Sequence, residues 1–177
     1  MRVSDPGKNR HHRVSIPLYT AAERRRRDRS PWTLVQGVLA PIQFVVFLVS
    51  VALVLRYLVL GTGLGAATAS IVLKTVVLYT IMVTGAIWER RVFGVYLFAR
   101  PFFWEDVVSM LVIGLHTAYL GAWLTGALGP RGQMLLALCA YATYVVNATQ
   151  FLLKLRAARR APARAPGRPG ALVGAAR

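Results

Sequence analysis

VQGVLAPIQFVVFLVSVALVLRYLVL, Val35 to Leu60, is the stretch whose reading decides the fold. It holds no acidic residue and one basic residue, Arg56, near its end. At ~1.5 Å of rise per residue, a helix of this length crosses ~30 Å of hydrocarbon. A helix is also the open-chain conformation that satisfies its own peptide groups where lipid offers no partner. Three more apolar blocks follow, at Ala66–Trp88, Val107–Leu128 and Gln133–Leu153. The chain is therefore expected to be all-α, a polytopic membrane protein built as a bundle of four transmembrane helices.

The composition agrees. Hydrophobic residues make up 56% of the chain, charged residues 16%, and the mean hydropathy is +0.50. A soluble domain carries about 25% charged residues. The formal net charge of +16 suggests nucleic acid until its distribution is read. Nine of the 22 Lys and Arg lie in residues 1–29 and seven lie in 154–177, on either side of the apolar middle. That pattern marks the cytoplasmic side of a membrane protein, and no nucleic-acid partner is expected. An even number of spans then puts both termini and the middle link in the cytoplasm.

Three parts are expected: a basic cytoplasmic arm over 1–30, partly disordered; a membrane domain over 31–156; and a disordered basic tail over 157–177. Within the arm, Thr20 and Glu23 have capping-box spacing, and Ser30-Pro31 reads as the start of the next helix. The first 30 residues are polar and the next apolar run exceeds a signal core, so no cleavable leader is expected. GTGLG (61–65) and GPRG (129–132) are tight connections. The first does not fit a dinucleotide-binding glycine loop, and no strand precedes it. Cys139 is expected to be a small buried apolar residue in the fourth span. The middle link, from Glu89 to Asp106, holds Arg90, Arg91, Arg100 and many aromatics, and is expected to lie along the membrane interface.

Polar residues within the spans fall on faces. Gln36, Gln43, Ser50 and Tyr57 recur every seven residues. Glu105, Ser109, Val112 and His116 share one face of the third span, and Thr143, Asn147, Gln150 and Lys154 share one face of the fourth. Hydrogen bonding between helices is one reading of these faces. A water-containing cavity open to the cytoplasm is the other. Lys74 is open between snorkelling to the far interface and a functional role. Glu105 and Asp106 are adjacent acids in a chain with only six. They suit a helix N-terminus opened by Pro101, or pairing with the link arginines. Two neighbouring carboxyls at a half-dry interface also resist double ionisation, and a carboxyl that keeps its proton is a proton donor. Glu105 lies on the face of Ser109 and His116, and Asp106 is turned about 100° from it. Glu105 is therefore the expected acid.

Three strings, SPWTLVQGVLAPIQFVVFLVS, LYTIMVTGAIWERRVFGVYLFARPFFWEDVVSMLVIGLHTAYL and YATYVVNATQFLLKLRAA, resemble the 3-vinyl bacteriochlorophyllide hydratases, 2-vinyl in older numbering. The resemblance covers about Leu18 to Ala158. It implies hydration of the C3 vinyl group of chlorophyllide a to a 1-hydroxyethyl group in bacteriochlorophyll synthesis, with other enzymes of that synthesis as partners. Such a hydro-lyase needs no cofactor of its own; water is the co-substrate, and magnesium belongs to the pigment. On that footing Glu105 is the expected acid, with Asp106 or Glu89 orienting water or supporting it. His116 is the expected axial ligand of the substrate magnesium. Arg90, Arg91, Arg100 and Lys154 are expected to hold the propionate, with Trp104 and Asn147 as further substrate contacts. The alternative reading is a non-catalytic tetrapyrrole carrier. A small transporter is a third, weakened by the absence of an inverted repeat.

Overall fold

The computed structural model describes residues 18–160. A short helix α1 (Ala21–Arg29) precedes four long ones: α2 (Pro31–Leu60), α3 (Leu64–Phe93), α4 (Phe103–Thr125) and α5 (Pro130–Arg160). All four are long and apolar enough to cross a membrane. The expectation of disorder in the arm and the tail concerns mostly residues 1–17 and 161–177, which lie outside the described residues. At the inner edge of the tail, α5 stays helical through Arg160.

Local chemistry sets the helix ends. The Thr20 hydroxyl accepts from the Glu23 amide at 3.2 Å, and Glu23 accepts from the Thr20 amide at 2.7 Å, closing the expected capping box. Pro31 opens α2 at a position where its missing N–H is not needed. Gly61 and Gly63 adopt left-handed backbone at φ 70° and 86°, so GTGLG serves as a turn between spans. The link between α3 and α4 is shorter than expected. Glu89 lies inside α3, and Glu105 and Asp106 lie in the first turn of α4. Pro101 stands two residues ahead of that helix and does not open it.

Helix α2 packs along α3 and α4 along α5; the two pairs join chiefly through α2 and α5, and α3 meets α4 less extensively. Val54, Ile71, Val112, Met134 and Ala137 form the interior. Leu34, Val59 and Leu124 remain at least 72% exposed, as side chains facing lipid should. Cys139, expected to be buried, is instead exposed on α5. Lipid is as apolar as leucine, so packing and interhelical hydrogen bonds must hold such a bundle. Each contact between helices has one. Gln36 donates to Thr84 at 2.7 Å between α2 and α3, Tyr79 meets Thr117 at 2.7 Å between α3 and α4, and Asn147 donates to Ser109 at 2.8 Å between α5 and α4. Ser50 meets both Tyr141, at 2.5 Å, and Ser70, at 2.8 Å, tying α2 to α5 and α3.

Helix α1 folds back on the end of α3. Arg26 Nε donates to the Val92 carbonyl at 2.8 Å, and Tyr19 stacks on Phe93 with ring centres 5.7 Å apart. Tyr19, Phe93, Phe102, Trp88 and Phe151 make an aromatic cluster there. One end of the bundle, the basic end, thus gathers α1, the end of α3, the start of α4 and the end of α5.

Tyr141→Phe removes one partner of the Ser50 network and should lower stability by about 1 kcal/mol. Thermal unfolding in detergent reads this loss; an unchanged midpoint would show that the network does not hold the helices.

Candidate functional site

Three of the chain's six acidic residues converge at the basic end. Glu89 is 6% exposed, Glu105 5% and Asp106 4%. Glu89 comes from the last turns of α3, and the other two from the first turn of α4, where the positive end of the helix dipole favours negative charge. The roughly 100° between consecutive helix positions sends the adjacent pair different ways. Glu105 turns to α5, where Lys154 Nζ meets its Oε2 at 2.5 Å. Asp106 turns to α3, where it lies beside Glu89, the two carboxyls being held by consecutive amides of the link.

The α3–α4 link covers this carboxyl pair. The Phe98 amide donates to Asp106 Oδ2 at 2.7 Å, and the Ala99 amide donates to Glu89 Oε2 at 3.3 Å. Phe98 takes a left-handed backbone at φ 60° to present its amide, an uncommon and costly conformation for a bulky residue. Two carboxyls enclosed side by side resist double ionisation. The geometry therefore distinguishes the three acids. Glu105 is ion-paired with Lys154, and Glu89 with Asp106 forms an enclosed carboxyl pair. Glu105, the acid expected from the sequence, is the one of the three that faces a lysine.

The other expected site residues separate into several places. Lys154 also donates to the Pro101 carbonyl, and its charge is engaged by Glu105. Arg90, Arg91 and Arg100 are exposed around the link, and none pairs with a carboxylate among the described residues. Arg90 donates to the Gly94 carbonyl and lies 5.5 Å from the Tyr96 ring centre. Trp104 is 70% exposed and faces away from the carboxyls, whereas Phe102 beside it is buried in the aromatic cluster.

His116 lies apart from the acids. Eleven residues along α4 from Glu105, it is about 16 Å farther along the helix axis, beyond the half-width of a tetrapyrrole ring. It is fully buried; Nδ1 meets the Val112 carbonyl at 2.8 Å and Nε2 has no partner among the described residues. A magnesium on His116 and a vinyl group at Glu105 do not belong to one bound pose. Lys74 shares this mid-bundle region and does not snorkel. It is fully buried, with Nζ 3.5 Å from the Tyr144 ring centre and 3.0 Å from the Gln43 side-chain oxygen in the amide orientation that satisfies both groups. The ring face supplies the attraction that an acid would otherwise give.

Nearer the acids, Asn147 bonds Ser109 across the α4–α5 seam, and Gln150 follows three residues on along α5. Beyond the Asn147–Ser109 bond, Asn147 Oδ1 and Gln150 Oε1 are buried without a partner among the described residues. A separate apolar groove of about 770 Å³ opens between α3 and α4 at the far end, lined by Leu64, Thr68, Val72, Val76 and Trp123 among others. No acidic residue lines it.

Fold and site together define a class: a four-helix integral membrane protein whose ionisable chemistry is enclosed at one end of the bundle. Sequence comparison then gives the family. A family profile described as 2-vinyl bacteriochlorophyllide hydratase matches residues 19–157, so the chain belongs to that family. The 2-vinyl bacteriochlorophyllide hydratase of Cereibacter sphaeroides is 66% identical over 143 residues, which is 80% of this chain and 88% of that protein. Its counterpart from Rhodobacter capsulatus is 65% identical over 142 residues, covering 80% of this chain and 82% of that protein. No solved structure matches the chain.

Lys154→Met should leave Glu105 as an unpaired buried charge and destabilise the protein by about 3 kcal/mol. The double variant Lys154→Met, Glu105→Gln should recover most of that loss, as a double-mutant cycle of unfolding midpoints would show. Additive losses would contradict the ion pair.

Proposed function

We propose that the chain hydrates the C3 vinyl group of a chlorophyllide in bacteriochlorophyll biosynthesis, and that the Glu89–Asp106 pair donates the proton. Membership of the hydratase family supports the activity. The observation that carries the assignment of the donor is two enclosed carboxyls held side by side by consecutive link amides, beside a third that is already paired with a lysine. A hydration must protonate one vinyl carbon and deliver water to the other. Protonation of the terminal CH₂ leaves a cation on the inner carbon, delocalised into the macrocycle. An acid that keeps its proton near neutrality can start this step, and the enclosed pair has the required form.

Glu105 then has the complementary role. As an anion one residue from Asp106, it stabilises the developing cation and accepts the surplus proton of the water. Lys154 keeps it charged and in place. Arg91 and Arg100, exposed beside the link and free of carboxylate partners among the described residues, suit the substrate propionate. The reaction as proposed uses water and the pigment's own magnesium, with no resident cofactor. The basic end faces the cytoplasm of a bacterial inner membrane, where arginine-rich segments are retained. The link is the part of the site that must shift to admit the vinyl group, because its Phe98 and Ala99 amides cover the carboxyl pair.

Asp106→Asn and Glu89→Gln should each lower the turnover of chlorophyllide a by about 100-fold or more, with the protein still inserted. The assay is formation of a product one water heavier than the substrate. Near wild-type turnover by either variant would refute the pair as donor.

A further inference from the structure

The hydration proposed above needs a held water as well as a proton donor, and the α4–α5 seam supplies a place for one. Asn147 and Gln150 lie three residues apart on α5, so their side chains sit one above the other on the same face. Asn147 is 9% exposed and its Oδ1 is buried without a partner; Gln150 Oε1 is likewise buried and unpartnered. Across from them on α4 is Ser109, 8% exposed, whose oxygen accepts from Asn147 Nδ2 at 2.8 Å. The Ser109 hydroxyl proton is uncommitted among the described side-chain bonds. Two orphan acceptors about one turn apart on α5, and one free donor on α4 bonded to the first of these residues, thus share this buried seam. Glu105 lies one turn before Ser109 on α4, and Lys154 one turn after Gln150 on α5, so the ion pair closes the seam at the basic end.

Buried polar atoms left unsatisfied are costly, and a buried water making about three hydrogen bonds is the usual remedy. From this arrangement we infer that Ser109, Asn147 and Gln150 form a binding site for the water that reacts. This inference rests on the hydratase reading of the carboxyl pair. The water donates its two hydrogens to Asn147 Oδ1 and Gln150 Oε1 and accepts from the Ser109 hydroxyl. One lone pair remains free for the substrate. In the reaction, the O–H bond of the Glu89–Asp106 pair breaks and the vinyl π electrons form the new C–H bond at the terminal carbon. The free lone pair forms the C–O bond at the inner carbon, and the surplus water proton passes to the Glu105 carboxylate. Glu105 then returns the proton to the pair. One water is added, and nothing is oxidised or reduced.

A purely structural polar seam leads to a different expectation. Gln150 makes no side-chain hydrogen bond to the described protein, so Gln150→Leu should leave a structural seam intact. A water site should fail instead. The test is hydration of chlorophyllide a in D₂O by wild-type protein and by the Gln150→Leu and Ser109→Ala variants, with membrane insertion and unfolding midpoint checked in parallel. We expect Gln150→Leu to lower kcat about tenfold or more, with KM changed less than about twofold and the midpoint not lowered. We also expect the recovered, unreacted substrate to gain deuterium at its vinyl CH₂, because protonation continues and reverses while water capture fails. Undiminished hydration by Gln150→Leu would overturn the water site. Loss of hydration and deuterium entry together would overturn it too, because Gln150 would then act in binding or proton delivery. The same exchange assay tests the underlying reading separately: Glu89→Gln and Asp106→Asn must lose deuterium entry, and its persistence there would remove the donor pair.

Discussion

Enclosing carboxyl groups at the end of a membrane bundle is the constraint on which the rest of this structure depends. Removing a charge from water is expensive, and each charge that stays buried needs a partner close by. Two different solutions meet within a few residues. Glu105 takes a lysine from another helix, and Glu89 and Asp106 lie side by side under two backbone amides of the link. The helix α4 begins where its dipole helps Glu105 and Asp106. Pro101, whose carbonyl binds Lys154, and Phe98, with its left-handed backbone, make sense as parts of this arrangement.

Away from that end, the bundle is tied sparingly. Its helices meet through apolar packing with a polar bond at each contact, and the deepest polar groups are Lys74 and His116. Lys74 is held by an aromatic face and an amide oxygen and has no acid beside it among the described residues. This mid-bundle centre and the carboxyl site are separated by more than two helical turns. They are therefore not two contacts of one vinyl-centred pose, whatever their appearance on one helical face in the sequence.

Much of this was legible before any coordinates. The apolar blocks located all four spans because bilayer thickness dictates helix length. The seven-residue recurrence of Gln43 and Ser50, and the spacing of Glu105, Ser109, Val112 and His116, identified buried faces because helical periodicity is geometric. The adjacent acids were singled out because acids are so scarce in the chain. Their roles were not legible. Which carboxyl meets the lysine and which lies beside another acid depends on how α3 and α5 flank the start of α4, a tertiary fact with no local pattern. Phe98 gave no signal either, since nothing in its residue type announces a left-handed backbone. Gln150 was seen as one polar residue on a face; only the packing shows that its oxygen is buried without a partner.

The short helix α1 has a consequence for the mechanics of the site. Tyr19 lies against Phe93 at the end of α3 and against Phe102 just before α4, while Arg26 grips the Val92 carbonyl. These are the two helix ends that carry Glu89 and the Glu105–Asp106 doublet. A basic segment that could have been a mere surface anchor is therefore a brace across the hinge between them. A pull on the arm, from a lipid headgroup or a neighbouring protein, would be transmitted as a change in the gap between two carboxyls.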